Sequence, residues 1–101
     1  MATSTPKLLY RGAAATSSTS LYYVPTSTTT VLTDIVISNT DLNQQSVTIL
    51  INSTTLIPAV PIAAGAVVNF QFRTALNAAD TIYAYATSTN INLHLSGVTI
   101  A

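Results

Sequence analysis

Residues 30–52 read TVLTDIVISNTDLNQQSVTILIN, and this stretch decides the fold class. Within Thr30–Asn39, Val31, Thr33, Ile35 and Ile37 take one face of an extended chain, opposite Leu32, Asp34, Val36 and Ser38. Within Ser46–Asn52, Val47, Ile49 and Ile51 alternate with Ser46, Thr48, Leu50 and Asn52. Between them lies NTDLNQQ, whose Asn and Asp side chains can hydrogen-bond their own backbone and favour a turn. Two period-2 segments rich in β-branched residues, joined by turn chemistry, predict two strands rather than a helix.

The same alternation recurs outward from this pair. In VVNFQFR, Val68, Phe70 and Phe72 oppose Val67, Asn69, Gln71 and Arg73; in INLHLSG, Ile91, Leu93 and Leu95 oppose Asn92, His94 and Ser96. For TIYAYAT the small set Ile82, Ala84 and Ala86 is read as inward, because Thr81 and Thr87 share the tyrosine side. LLYRG and SLYYVP add two strands near the start. LIPAVPI is extended but interrupted by Pro58 and Pro61, which confines it to a sheet edge or an irregular link. RTALNAA could make only one or two helical turns. The expected fold is all-β: a single antiparallel β-sandwich or jelly roll of about eight short strands over residues 8–101, preceded by a polar N-terminal arm at 1–7.

Composition narrows the function. The 101 residues carry six charges, Lys7, Arg11 and Arg73 against Asp34, Asp41 and Asp80, with no Cys or Trp. At 6% charged and a mean hydropathy of +0.48, the chain is far below the roughly 25% charge of ordinary soluble domains. No charge occurs from Gly12 to Thr33 or from Leu42 to Phe72. A net charge of zero offers no field to attract nucleic acid or anionic lipid, so neither is expected as a partner. The longest apolar run, LIPAVPIAAGAVV, falls short of a membrane span, and MATSTPK lacks the order of a secretory signal.

Catalytic chemistry finds little to work with. His94 is the only imidazole and is placed on the exposed face of the last strand. Hydroxyls are too common to single out a nucleophile, and no G-x-S-x-G elbow is present. Asp41 and Asp80 sit in turn clusters, and three dispersed Asp with one His match no metal-ligand spacing. Gly12, Gly65 and Gly97 are isolated, so no phosphate-binding loop is present; Gly65 suits a tight turn and Gly97 a bulge. No enzyme activity, cofactor or metal is therefore expected.

What the chain does expose is Thr, Ser, Asn and Tyr, with Leu32, Val36, Leu50 and Val67 on faces read as outward. Natural sheets guard their edges with charge, above all with Lys. A sandwich without that guard is expected to be covered by other subunits and to form a homo-oligomer. The candidate interface residues are Tyr22, Leu32, Asp34, Arg73, Tyr83 and Tyr85: tyrosines for contact area and polar tips, and Asp34 because it interrupts an apolar strand. Packing of the tyrosines in the monomer, or stacking on a glycan, are the alternatives.

Several motifs occur in a telling order. KLLYRG, at 7–12, supplies an opening strand, Tyr22-Tyr23-Val24-Pro25 makes a turn, and an apolar strand ends in Asn39. IAAGAVVNFQF enters a strand through Ala-Gly, NAADTIYAYA turns through Ala-Asp, and the last strand contains Ser96-Gly97-Val98. In this order the chain resembles the small all-β virion proteins of tailed bacteriophages, head decoration (cement) proteins or tail- and fibre-associated components. The resemblance spans nearly the whole chain and departs at the Pro-interrupted LIPAVPI. It implies a structural role in the virion, with the major capsid protein or other virion subunits as partners and the capsid exterior or the tail as location. It brings no catalytic residues.

Overall fold

The computed structural model describes residues 4–100, and Met1–Thr3, part of the predicted arm, lie outside them. Eight strands follow in order: β1 (Ser4–Ala13), β2 (Thr19–Tyr23), β3 (Thr29–Asn39), β4 (Gln45–Ile51), β5 (Thr54–Ile62), β6 (Val67–Leu76), β7 (Thr81–Ala86) and β8 (Ile91–Ile100). They form two four-stranded antiparallel sheets, β1-β8-β3-β6 and β2-β7-β4-β5. There is no helix among the described residues, and RTALNAA is the end of β6 and its turn.

The pairing has a simple rule. β1 pairs with β8, β2 with β7, β3 with β6 and β4 with β5. The chain is thus one long hairpin bent at the β4–β5 turn, with its strand pairs assigned alternately to two layers. Rolling that hairpin up creates the remaining contacts, β8 on β3 and β7 on β4. This is the jelly-roll arrangement of two nested Greek keys.

Between the sheets lies one core. Ile35 and Ile37 of β3, Val47 and Ile49 of β4, Ile82 of β7, and Ile91, Leu93 and Leu95 of β8 are fully buried. Ala84 and Ala86 also face inward, as expected. LIPAVPI is the edge strand β5. Its irregular register against β4 is stitched by the buried Thr48 hydroxyl, which accepts the Ala59 N–H at 3.1 Å.

Two features depart from the sequence reading. The predicted arm is strand from Ser4 onward, because β8 runs to Ile100 and offers Ser4–Lys7 a continuous ladder. The second departure is in β3, where register slips at Thr33 against both neighbours. Thr30 and Leu32 face inward before the slip, and Ile35, Ile37 and Asn39 after it. Leu32, read as outward, is fully buried. The Thr33 hydroxyl stitches the slip by donating to the Ser96 carbonyl at 3.1 Å. On the far side of β8, β1 carries a second bulge at Leu9, between Leu8↔Ser96 and Tyr10↔Leu95.

Candidate interaction surface

Consecutive strands run between two ends of a molecule 49 Å long and about 20 Å across (22 × 18 Å). At one end the β3–β4 loop meets the β7–β8 and β5–β6 loops. Asn39 is buried there; its amide donates to the Ile62 and Asn43 carbonyls at 2.9 and 3.0 Å, and its oxygen accepts the Asp41 N–H. Asp41 then accepts from the Asn43 N–H, the Ser88 hydroxyl and the Asn90 amide. These donors stabilise its ionised form and lower its pKa, the Asn43 backbone bond most, then Asn90 and Ser88. Gly65 turns the β5–β6 loop with φ 71° and donates to the Asn39 carbonyl.

Asp80 organises the opposite end. Its carboxylate accepts from the Asn52 amide and the Asn77 N–H, and both lower its pKa, Asn52 the more. Asn52, in the two-residue β4–β5 turn, adopts φ 57° and accepts the Thr81 N–H. Asn tolerates that left-handed conformation better than most residues. Two of the three acids are therefore clamps holding loops together. Neither faces a partner as a free charge.

The remaining charges belong to the β1-β8-β3-β6 sheet, with Arg11, Arg73 and Asp34 on its outer face. Asp34 lies opposite Ser96 on one side and Gln71 on the other, with Arg73 two residues beyond Gln71 on β6. Arg11 lies opposite His94, which is exposed as expected. A shallow groove runs beside the two bulges, lined by Lys7, Leu8, Arg11, Thr33, Asp34 and Ser96. This face holds Arg11, Arg73 and Asp34, and Lys7 lines its groove.

The outer face of the β2-β7-β4-β5 sheet is uncharged. Tyr83 pairs across from Leu50 and Ser20, and Tyr85 from Thr48, with Tyr85 exposed and Tyr83 half-buried. Tyr22 is elsewhere, at the seam between the sheets. It packs against the core, and its hydroxyl lies 3.1 Å from that of the fully buried Thr30.

The six predicted residues therefore do not form one patch. Asp34 and Arg73 share one outer face, Tyr83 and Tyr85 the opposite one, Tyr22 closes the seam, and Leu32 has no surface to offer. Leu32 is misplaced by the slip at Thr33, which flips the side-chain phase upstream of it. A residue that sequence reasoning passed over is the exposed Leu8. Among the described residues no three His, Cys, Asp or Glu side chains gather as a metal site.

Comparison with known proteins finds no matching family model and no matching curated protein. Among the solved structures that share the architecture are the following two. One is from Bacillus endospore appendages, described as a novel family of disulfide-linked pili; the TM-score is 0.56 at 16% identity, over 98% of this chain and 85% of that one. The other is from the T13 viral particle of IBDV, with a TM-score of 0.56 at 8% identity, over 98% of this chain and 30% of that one. At these identities the likeness establishes the shared fold.

Proposed function

We propose that this chain is a structural subunit of a multi-copy protein assembly, and within that class a capsid decoration (cement) protein of a tailed phage. The observation that carries the reading is the jelly roll's lack of charge: one outer face has none, and two of the three acids are tied into loop clamps. Such a surface can be covered without desolvating ions, and its Thr, Asn and Tyr groups can satisfy hydrogen bonds across an interface. The resemblance of its motifs to phage virion proteins supports the location, and the same fold serves in a viral particle and in a surface appendage.

The mechanism is linkage. A subunit that binds only the assembled shell stabilises that state, and contact with two or more shell subunits adds avidity. No bond is made or broken, so no catalytic residue, metal or cofactor is required.

The likeness to a pilus subunit over 85% of its length favours a second reading, a repeating component of a tail or appendage. That pilus family is disulfide-linked, whereas this chain has no cysteine, so such an assembly would rest on non-covalent contacts. Copy number separates the two readings. Quantitative mass spectrometry of purified particles is expected to find this chain at hundreds of copies, and particles lacking it are expected to lose their genome at lower temperature and ionic strength. Equal resistance with and without it would exclude the cement role, and a handful of copies would move it to the tail.

A further inference from the structure

The two sheets have four edges, and three of them are blunted. β2 is only five residues long, β5 contains Pro58 and Pro61, and β1 contains Pro6, Lys7, Arg11 and the bulge at Leu9. Short strands, prolines, charges and bulges are the devices by which sheets refuse edge-to-edge pairing. β6 has fewer of them: one charge, Arg73, and the register shift where Phe72 and Arg73 together face Thr33 of β3. Its ten residues, VVNFQFRTAL, contain no Pro or Gly and one charge, and their burial alternates from Val67 to Leu76 without a break. On its inward side Val68, Phe70 and Phe72 are only half-buried, with the two rings stacked at 6.3 Å.

We infer that β6 is a self-pairing edge, and that its occupant is β6 of a second copy of this chain, antiparallel about a two-fold axis at Gln71. An antiparallel pair places directly opposite residues on the same side of the sheet, so inward residues must meet inward residues. With Gln71 opposite its own mate, Phe70 meets Phe72 of the second copy and Phe72 meets Phe70. Val68 meets Thr74, and Val67 meets Ala75. Asn69 meets Arg73, so the two arginines are kept apart. Every apolar group from Val67 to Ala75 gains an uncharged neighbour, the aromatic pair becomes a group of four rings, and the β1-β8-β3-β6 sheets of the two copies join into one. Two-fold pairing also consumes the edge, leaving only blunted edges and a closed dimer. This goes beyond the proposed function, since the dimer stands whether its location is a head or a tail.

The chain has no cysteine, so one introduced thiol reports the register cleanly. Residues directly opposite in an antiparallel pair have Cα atoms roughly 4.5–5.5 Å apart, within disulfide range. Gln71→Cys is expected to form a disulfide-linked dimer rapidly under mild oxidation. Asn69→Cys, whose mate lies four residues away along the partner strand, is not. Sedimentation equilibrium of the full chain is expected to show a concentration-dependent dimer. Asn69→Lys, which sets two like-charged pairs against Arg73, weakens it about fivefold, and adding Arg73→Glu restores it. Asn69 is exposed and lies opposite Val36 within the chain, so the change leaves the monomer fold alone, as its circular dichroism checks. A monomer at all concentrations, an open-ended polymer, equal cross-linking at 69 and 71, or no charge rescue would each overturn the inference.

Discussion

Gly97→Ala puts the smallest side chain where the central strand β8 is squeezed. Gly97 lies opposite Leu32 and Lys7, beside the two bulges. A Cβ built there falls well inside van der Waals contact of the Val31 carbonyl oxygen and 3.1 Å from Leu9 Cδ1. Leu9 could swing away, but Val31 O belongs to the backbone of β3 and moves only with the strand. Reduced freedom of the unfolded chain would by itself favour alanine by about 0.4–1 kcal/mol. Against that, overpacking costs about 1–3 kcal/mol, and the upper end applies because the obstacle is backbone. A net loss of about 2 kcal/mol corresponds to a fall in Tm of about 8–16 °C for a domain this size. Gly65→Ala is the control: nothing lies within 4 Å of its Cβ, so its cost is only that of the left-handed backbone, about 1–2 kcal/mol. Urea and thermal denaturation followed by circular dichroism measure both. Leu9→Ala is expected to leave the Gly97→Ala loss largely unrelieved. A Gly97→Ala protein melting within about 2 °C of the parent, or fully rescued by Leu9→Ala, would refute backbone approach as the reason for this glycine.

Two further outcomes test the clamps and the seam. Asp41 and Asp80 have folded-state pKa values below the ordinary 3.8, so their contribution is fully present above that value and is lost as pH falls through the folded values. Asp41→Asn/Asp80→Asn should melt lower than the parent at neutral pH, and the gap should close on acidification; a gap unchanged down to pH about 3 would contradict the clamp role. Tyr22→Phe leaves the buried Thr30 hydroxyl without its partner, at a cost of about 1–2 kcal/mol. With Thr30→Val added, the double variant should lose clearly less than the sum, which a double-mutant cycle in urea measures.

The fold was legible because period-2 alternation survives in most strands. Ile91, Leu93 and Leu95, and Val68, Phe70 and Phe72, face inward as their spacing predicts. In β7 the small side faces inward as the spacing predicts, although Thr81 on the tyrosine side is itself buried; the Asn52 clamp covers it, a contact between distant loops that strand-by-strand reading cannot anticipate. Leu32 fails for a different physical reason. Thr33 looks like one more alternating residue, and only pairing with β8 and β6 shows that it absorbs a slip. Gly97 in the sequence suggests a bulge in the last strand, whereas the bulges lie in the strands on either side. The candidate surface was less legible than the fold, because a residue's sheet, and therefore which outer face it joins, depends on the rolled hairpin. Tyr83 and Asp34 look alike in the sequence as outward residues of strands, yet the roll sets them back to back.

That separation bears on how the subunit can be used. Lys7, Arg11 and Arg73 against Asp34 give the β1-β8-β3-β6 side an excess of two positive charges, with the balancing acids bound up in the loop ends. Contact through this side would weaken as salt rises, because exposed charges are screened within about 8–10 Å near physiological ionic strength. Contact through Tyr83, Tyr85 and Leu50 has no charge to screen and depends on area and hydrogen bonds alone. The edge pairing inferred at β6 would belong to the second kind in the main, with Arg73 and Asn69 its only polar contact of any ionic character. A chain so divided would keep the inferred edge contact at any salt, while its basic side would answer to the charge of whatever it rests on. The near-absence of charge is thus not spread evenly: it marks the parts of the surface that can be covered at least cost, and leaves one side where ionic strength still matters.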